Sequence, residues 1–354
     1  MTFFKNFTRT LPSSSLILGT LDDSSKAPNF YNVIEKFAVP NQKLPNYGEI
    51  FSNQEFHHEI FNKYKLVFFG EKHSIPEIIE FQNLVQMAMS ESLINYDSAT
   101  LHVVMEHFSF EMQGILDKYQ SNNLSFEELL EEYDKIGTEG HDLKPYFNLL
   151  QFAKQNYPKI ILHGGFIPRT FGRLVMKEGE EMAIKIAKDK DYLPSTLVEL
   201  TGSEFHYNLF ESMITGRYFY DLTKKPTDNW RKLFKAQLIK DEAMAYKVCK
   251  LLKDENENGQ DKYLIIAGDG HIKHFTAVTE RVLKHSGEII DDLARKSMII
   301  NCFAADSTLN SELTEREIRQ GLELNFGPAG ANPGDYLYVY KNNSPEEPIT
   351  EYQH

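Results

Sequence analysis

The sequence predicts an α/β fold: a mostly parallel central sheet flanked by helices, with a helical lid or subdomain over it. Two observations carry this. Short apolar runs alternate with longer stretches of helical periodicity, the pattern of repeated βαβ units. Four of those runs are followed at once by polar or charged residues, as expected where parallel strands end at a ligand crevice.

Six strands are expected: Lys65 to Gly70, Leu101 to Glu106, Lys159 to Gly164, Tyr263 to Gly268, Ser297 to Phe303 and Tyr336 to Tyr340. After the first, Ser74-Ile-Pro-Glu77 has the spacing of a capping box with Pro early in the first turn, predicting a helix to about Leu93. Further helices are expected over Ser125 to Ile136, Pro145 to Asn156 and Glu180 to Lys190, and a long one from about Thr227 to Glu255. In the last, Trp230, Leu233, Phe234, Leu238, Met244, Ala245, Val248 and Leu252 recur at the spacing of a buried stripe. Residues 61–342 read as one α/β domain with a helical lid at 179–225, preceded by an extension over 1–60 and followed by a tail over 343–354.

With 354 residues and 41% hydrophobic content, the chain can bury a sizeable core. A net charge of −13 disfavours nucleic acid as a partner, because phosphate binding gathers Lys and Arg into a basic stripe. Two cysteines, Cys249 and Cys302, suggest neither a disulfide framework nor a thiolate zinc site. No apolar run reaches the roughly 18 residues of a spanning helix. The first 20 residues contain Lys5, Arg9, several Ser and Thr and three Phe, with no acid before Asp22. That composition is presequence-like and predicts residence in the mitochondrial matrix or on the matrix face of the inner membrane, with the cytoplasm as the alternative.

The polar strand ends are Gly70-Glu-Lys-His73, Glu106-His107, His163 with Arg169, and Gly268-Asp-Gly-His271. In a parallel sheet these ends lie side by side, so Glu71, His73, Glu106 and His271 are expected in one cleft. A lone strand-end histidine is more often a hydrogen-bonded structural residue than a ligand. Two Gly-x-x-His runs placed alike after apolar strands, with a strand-terminal carboxylate, are harder to explain as packing. His73, Glu106 and His271 are thus the expected metal ligands, suited to Fe, Mn, Co or Zn. Such a set leaves positions open to water, and in a hydrolase Glu71 would act as general base. His107 is expected on the opposite face from Glu106, in an outer position at best. His163 and His274 are expected to be structural, and Glu242 to lie on a solvated helix face. Arg169 could hold a carboxylate over the site, and Asp241 and Tyr207 could face a ligand.

Leu66-Val-Phe-Phe-Gly-Glu-Lys-His73, Val104-Met-Glu-His-Phe108, Asp241-Glu-Ala-Met-Ala245 and Ile265-Ile-Ala-Gly-Asp-Gly-His-Ile272 resemble the ChaN-like haem-binding uptake family. That family belongs to a wider Tiki and erythromycin-esterase-like superfamily. The resemblance runs from Lys65 to about Leu283 and implies roles for Glu71, His73, Glu106, Arg169 and His271. It implies a haem or transition metal ligand first, with Arg169 pairing a haem propionate. A metal-dependent esterase or protease is the second implication. Because fold does not establish activity, an accessory subunit of a mitochondrial complex with an idle site is a third expectation beside it, and the expected assembly is a homodimer or that larger complex. The chain departs from the family pattern at Gly164-Gly-Phe-Ile-Pro168 and in the 60 or so residues before its first strand.

Overall fold

Six strands pair into a single sheet whose every ladder is parallel. They are β1 (Leu66–Glu71), β2 (Leu101–Ser109), β3 (Ile160–Phe166), β4 (Lys262–Gly268), β5 (Ser297–Asp306) and β6 (Tyr336–Asn342), in spatial order β3-β2-β4-β1-β5-β6. The structure is a computed structural model and describes residues 61–137, 139–217, 222, 227–255, 259–286, 293–306 and 334–342. The presequence-like front and the tail after Asn342 lie outside the described residues. Among the described residues no helix is long and apolar enough to cross a membrane.

All six expected strands are present, most running one to three residues past the expected end. β1 and β4 sit at the centre, register-paired from Leu66↔Tyr263 to Glu71↔Gly268, and every residue of both is buried. Burial on both faces is what allows a central strand to be apolar throughout, as Leu66-Val-Phe-Phe69 and Tyr263-Leu-Ile-Ile-Ala267 are. Because β1 and β4 are neighbours, the two Gly-x-x-His loops emerge side by side.

The helices are α1 (Pro76–Glu91), α2 (Gln113–Gln120), α3 (Phe126–Ile136), α4 (Phe147–Gln155), α5 (Arg169–Glu178), α6 (Glu180–Asp189), α7 (Glu204–Thr215), α8 (Arg231–Lys253) and α9 (Ala277–Ser286). The capping box expected at Ser74 does not form. Ser74 has φ 60°, and the helix starts from Ile75 with Pro76 in its first turn and no side-chain cap. A capping box does form at α3, where Ser125 Oγ accepts from Glu128 N at 3.1 Å and Glu128 Oε2 accepts from Ser125 N at 2.7 Å.

Strand alternation divides the core. Val67, Phe69, Val103, Met105, Leu264 and Ile266 pack against α1 to α4. Leu66, Phe68, Val104, Ile265 and Ala267 pack on the other face against α8 and α9. A third cluster joins α5, α6 and α7 to the first half of α8 through Phe171, Ala183, Tyr207, Phe210, Phe234 and Leu238. The helical stretch after β3 therefore has its own core, which begins at Ile167. Glu242, expected on a solvated face, is 6% exposed and paired with Arg281 Nε at 2.7 Å, because α9 packs over that side of α8.

Candidate functional site

At the carboxyl end of β1 the chain turns through Glu71, Lys72 and His73. Glu71 follows Val67 and Phe69 in alternation and so lies on the α1 to α4 face. Its carboxylate is 1% exposed and is surrounded by donors. Oε1 accepts from Tyr146 Oη at 2.7 Å, from His107 Nε2 at 2.9 Å and from His73 Nδ1 at 2.7 Å, while Gln82 Nε2 donates to Oε2.

Glu106 follows Val104 and lies toward the other face. Its Oε2 accepts from Gly268 N at 2.5 Å, and its Oε1 lies 3.1 Å from His73 Nε2 and 3.5 Å from His141 Nε2. His73 thus spans the sheet end, one ring nitrogen on each carboxylate. Gly268 makes the room, since a Cβ there would stand 2.9 Å from His73 Nε2.

The histidines converge. His73, His107 and His141 each offer a ring nitrogen within 4.8 Å of the others, with ring centroids 4.7 Å apart for His73–His141 and for His107–His141. His107 does point to the face opposite Glu106, as alternation requires. That face, however, is where Glu71 sits, so His107 belongs to the cluster rather than outside it. His141 comes from the Gly140-His-Asp142 loop after α3, and Tyr146 from the short 3-10 turn Lys144–Tyr146.

His271 is brought to the same end of the sheet by β4. Its Nδ1 lies 2.5 Å from Asp241 Oδ1 and its ring packs edge-on against Phe166 at 4.7 Å. Its charge helps hold the Glu106 carboxyl below the usual range, but its direct partners are Asp241 and Gln237. Arg169, the exposed first residue of α5, donates its backbone N–H to Glu139 Oε2 at 3.0 Å. Its guanidinium lies against Gly140, beside the His141 loop. Asp241 is fully buried at the site. Tyr207 is not at the site: it is buried in the helical core, its hydroxyl accepting from Trp230 N at 3.3 Å and its ring covered by Arg231 at 3.7 Å. Successive helical residues diverge by about 100°, and it is His206 that faces inward, Nε2 3.9 Å from Asp241 Oδ2. His163 pairs with His102 at 2.9 Å within the sheet, away from these groups.

The donor set suits a first-row transition metal, and one atom tests that fit directly. With His107 Nε2–H given to Glu71, the ring's Nδ1 is buried with no hydrogen-bond partner among the described residues, a costly state for a lone pair that a metal ion would relieve. A ligating imidazole that gives its other N–H to a carboxylate is the usual arrangement at metal centres. Burial, helped by His107 and His73, pushes the His141 pKa down to about 3, so that imidazole is in the neutral, ligating form.

Burial alone would lower the His73 pKa, but Glu106 and Glu71 raise it to about 11. Burial would raise Glu71 and Glu106, yet His107 and His73 hold the first, and mainly His73 the second, below the ordinary carboxylate range. A raised His73 contributes stability in full below about pH 6.5, and this is lost as pH rises toward about 11. The depressed carboxyls contribute above about pH 4.5, and this is lost as pH falls. The depressed His141 works against folding as pH falls below about 6.5, because the unfolded chain takes up the proton that the buried ring refuses, so the metal-free chain is expected to have its highest melting temperature near pH 6.5, with an alkaline limb that His73→Gln flattens. The His73 side chain is 41% exposed, so the slope should fall well below the roughly 1.4 kcal/mol per pH unit of full linkage. A melting temperature that rises from pH 6.5 to 9 would refute the pairing.

Residues 59–282 match the family model described as haem-binding uptake, Tiki superfamily, ChaN. Among solved structures, the chain is similar to ChaN of Campylobacter jejuni, described with cofacial haem binding, at 18% identity and a TM-score of 0.50. That match covers 71% of this chain and 85% of the other. It is also similar to an erythromycin esterase mutant in its open conformation, at 14% identity and a TM-score of 0.38 over 75% of each chain. A search of curated proteins finds no match. The family match spans more than half of the sequence and includes both Gly-x-x-His loops and Glu106, and the chain belongs to the ChaN haem-binding uptake family of the Tiki superfamily.

Proposed function

We propose that this protein binds a transition metal, as the ion or as the iron of haem, at the carboxyl end of its sheet, with His73, His107 and His141 as nitrogen donors. The observation that carries the reading is the meeting of three ring nitrogens, one from each histidine, within 4.8 Å, with a buried His107 ring whose Nδ1 has no hydrogen-bond partner among the described residues. Glu71 takes donors on both of its oxygens, which suits a carboxylate that orients His73 and His107. A general base would need one of those lone pairs for water. Glu106 is the nearest carboxylate able to join the donor set. A bound metal would supply Lewis acidity, or redox chemistry if it is iron. Haem is supported by family membership and by His73 being the exposed member of the cluster.

Hydrolysis is the second reading, favoured by the 2.5 Å contact of Asp241 with His271. A carboxylate-held imidazole beside a metal is equipped to move protons. The test is elemental and absorption analysis of the purified chain, before and after loading with Fe, Mn, Co, Zn or haem. About one metal per chain, removable by chelator, is expected, with a Soret band if the ligand is haem. A chain that retains neither after loading overturns the proposal, and metal-dependent turnover of esters or peptides would select the second reading.

A further inference from the structure

A phenol packs against the most buried histidine of the cluster. The Tyr146 ring centroid lies 4.2 Å from that of His107, closer than the rings of His141 at 4.7 Å and His73 at 5.9 Å. Tyr146 ends the 3-10 turn Lys144–Tyr146, which follows the loop holding His141, and it is 1% exposed. Its hydroxyl donates to Glu71 Oε1 at 2.7 Å, the oxygen that also accepts from His107 Nε2. Phenol, carboxylate and imidazole therefore touch one another pairwise in a space that water does not reach.

Other buried tyrosines share parts of this arrangement but not the whole. Tyr133 donates to the His107 backbone oxygen at 2.9 Å, a neutral acceptor. Tyr338 donates to Glu77 Oε1 at 3.1 Å, but its ring stacks on Phe81. Tyr146 combines a carboxylate acceptor with ring contact to a proposed metal donor. Burial, and then the Glu71 charge, raise its pKa, so the hydroxyl is protonated at neutral pH. Taking an electron from such a ring without its proton would leave a buried cation, which is costly. The hydrogen bond to Glu71 removes that obstacle. A phenol that loses an electron becomes a strong acid, and here its proton has an acceptor already in place. Glu71 has no lone pair left for water, but Tyr146 already sits on the one that this transfer uses.

We propose that Tyr146 is a redox-active tyrosine, giving an electron to iron held by His107 and its phenolic proton to Glu71. This deepens the metal-binding reading and rests on it, adding a peroxide as the substrate class and Tyr146 as the internal reductant. Hydrogen peroxide takes up two electrons and two solvent protons on its way to two waters. Iron supplies one electron, and is left one unit more oxidised, while Tyr146 supplies the other. The Tyr146 O–H bond breaks, a new O–H bond forms on Glu71 Oε1, and a neutral phenoxyl radical remains, shielded from solvent.

The full-length chain is loaded with ferric iron or with haemin, its iron content is measured, and an equivalent of hydrogen peroxide is added before rapid freezing for electron paramagnetic resonance. A tyrosyl radical is expected, recognised by the narrowing of its hyperfine pattern when the chain is grown with ring-deuterated tyrosine. Tyr146→Phe is expected to lose the signal at the earliest freezing time, and Tyr133→Phe to keep it. Because the phenylalanine at position 146 takes a donor from buried Glu71, iron content is scored for that variant too. In parallel, 3-fluorotyrosine is placed at position 146. It keeps the hydroxyl, and its fluorine is expected to add a hyperfine splitting to the radical signal, which a purely structural Tyr146 would not produce. A chain that holds iron yet gives no radical, or one without the fluorine splitting, overturns the proposal and leaves the metal reading standing. A chain that takes up no iron in either form also overturns it, and the metal reading falls with it only if Mn, Co and Zn are refused as well.

Discussion

Glu71→Ala is expected to destabilise the metal-free chain by roughly 3 kcal/mol or more, lowering its melting temperature by about 6 °C or more. The substitution removes the desolvation cost of a buried carboxylate, which taken alone would stabilise. Against that gain stand four stranded donors: Tyr146 Oη, His107 Nε2, His73 Nδ1 and Gln82 Nε2. Each buried donor left unsatisfied costs about 1–3 kcal/mol, and Tyr146, His107 and Gln82 have no water within reach, at 1%, 0% and 0% exposure. The stranded donors outweigh the gain. Glu71→Gln should cost less, because its amide oxygen can still accept from His107 and Tyr146 while only its nitrogen meets the Gln82 donor. Thermal and denaturant unfolding decide the matter. An alanine variant as stable as wild type would show that the network relaxes around the hole.

The strands were legible because burial on both faces leaves long apolar runs, and β1, β4 and the first half of β2 are such runs. The helix starts were less so. Ser74-Ile-Pro-Glu77 and Ser125-Phe-Glu-Glu128 have the same Ser-x-x-Glu spacing, but only the second caps a helix. The difference lies in the backbone. Ser74 takes a positive φ as the chain leaves the tight Glu71 to His73 turn, and no local pattern reports that constraint.

Glu71, His73, Glu106 and His271 were legible because each ends a strand, and parallel strands bring their ends together. His141, Tyr146 and Gln82 lie in a loop, a 3-10 turn and a helix, where strand-end reasoning has no purchase. A Gly-His step in the acidic loop Glu139-Gly-His-Asp142 was the only local hint of the first. The alternation rule placed His107 on the correct face, but its partners depended on knowing that Glu71, two strands away, shares that face. Tyr207 and His206 could not be separated without the rotation of α7, because the segment is apolar or aromatic on several sides.

His107→Ala is expected to weaken metal retention by roughly 100-fold, about 2.8 kcal/mol at 1.4 kcal/mol per decade, with His163→Ala unchanged. His107 is the most buried of the three histidines, at 0% exposure, against 41% for the His73 side chain and 14% for that of His141. Burial means that water cannot take its place in the coordination shell, whereas the position of His73 can be refilled from solvent. His73→Ala and His141→Ala should therefore cost less, roughly 10-fold each. The fold should tolerate the change better than the loss of Glu71, since alanine removes both the Nε2–H donor and the unpartnered Nδ1 together, leaving a cavity beside Tyr146. Competition with a chelator of known affinity gives the retention directly, and circular dichroism on the same samples separates a lost ligand from a lost fold. If a folded His107→Ala chain holds metal as tightly as wild type, the buried imidazole is a structural partner of Glu71, and the centre must be built from His73, His141 and the carboxylates instead.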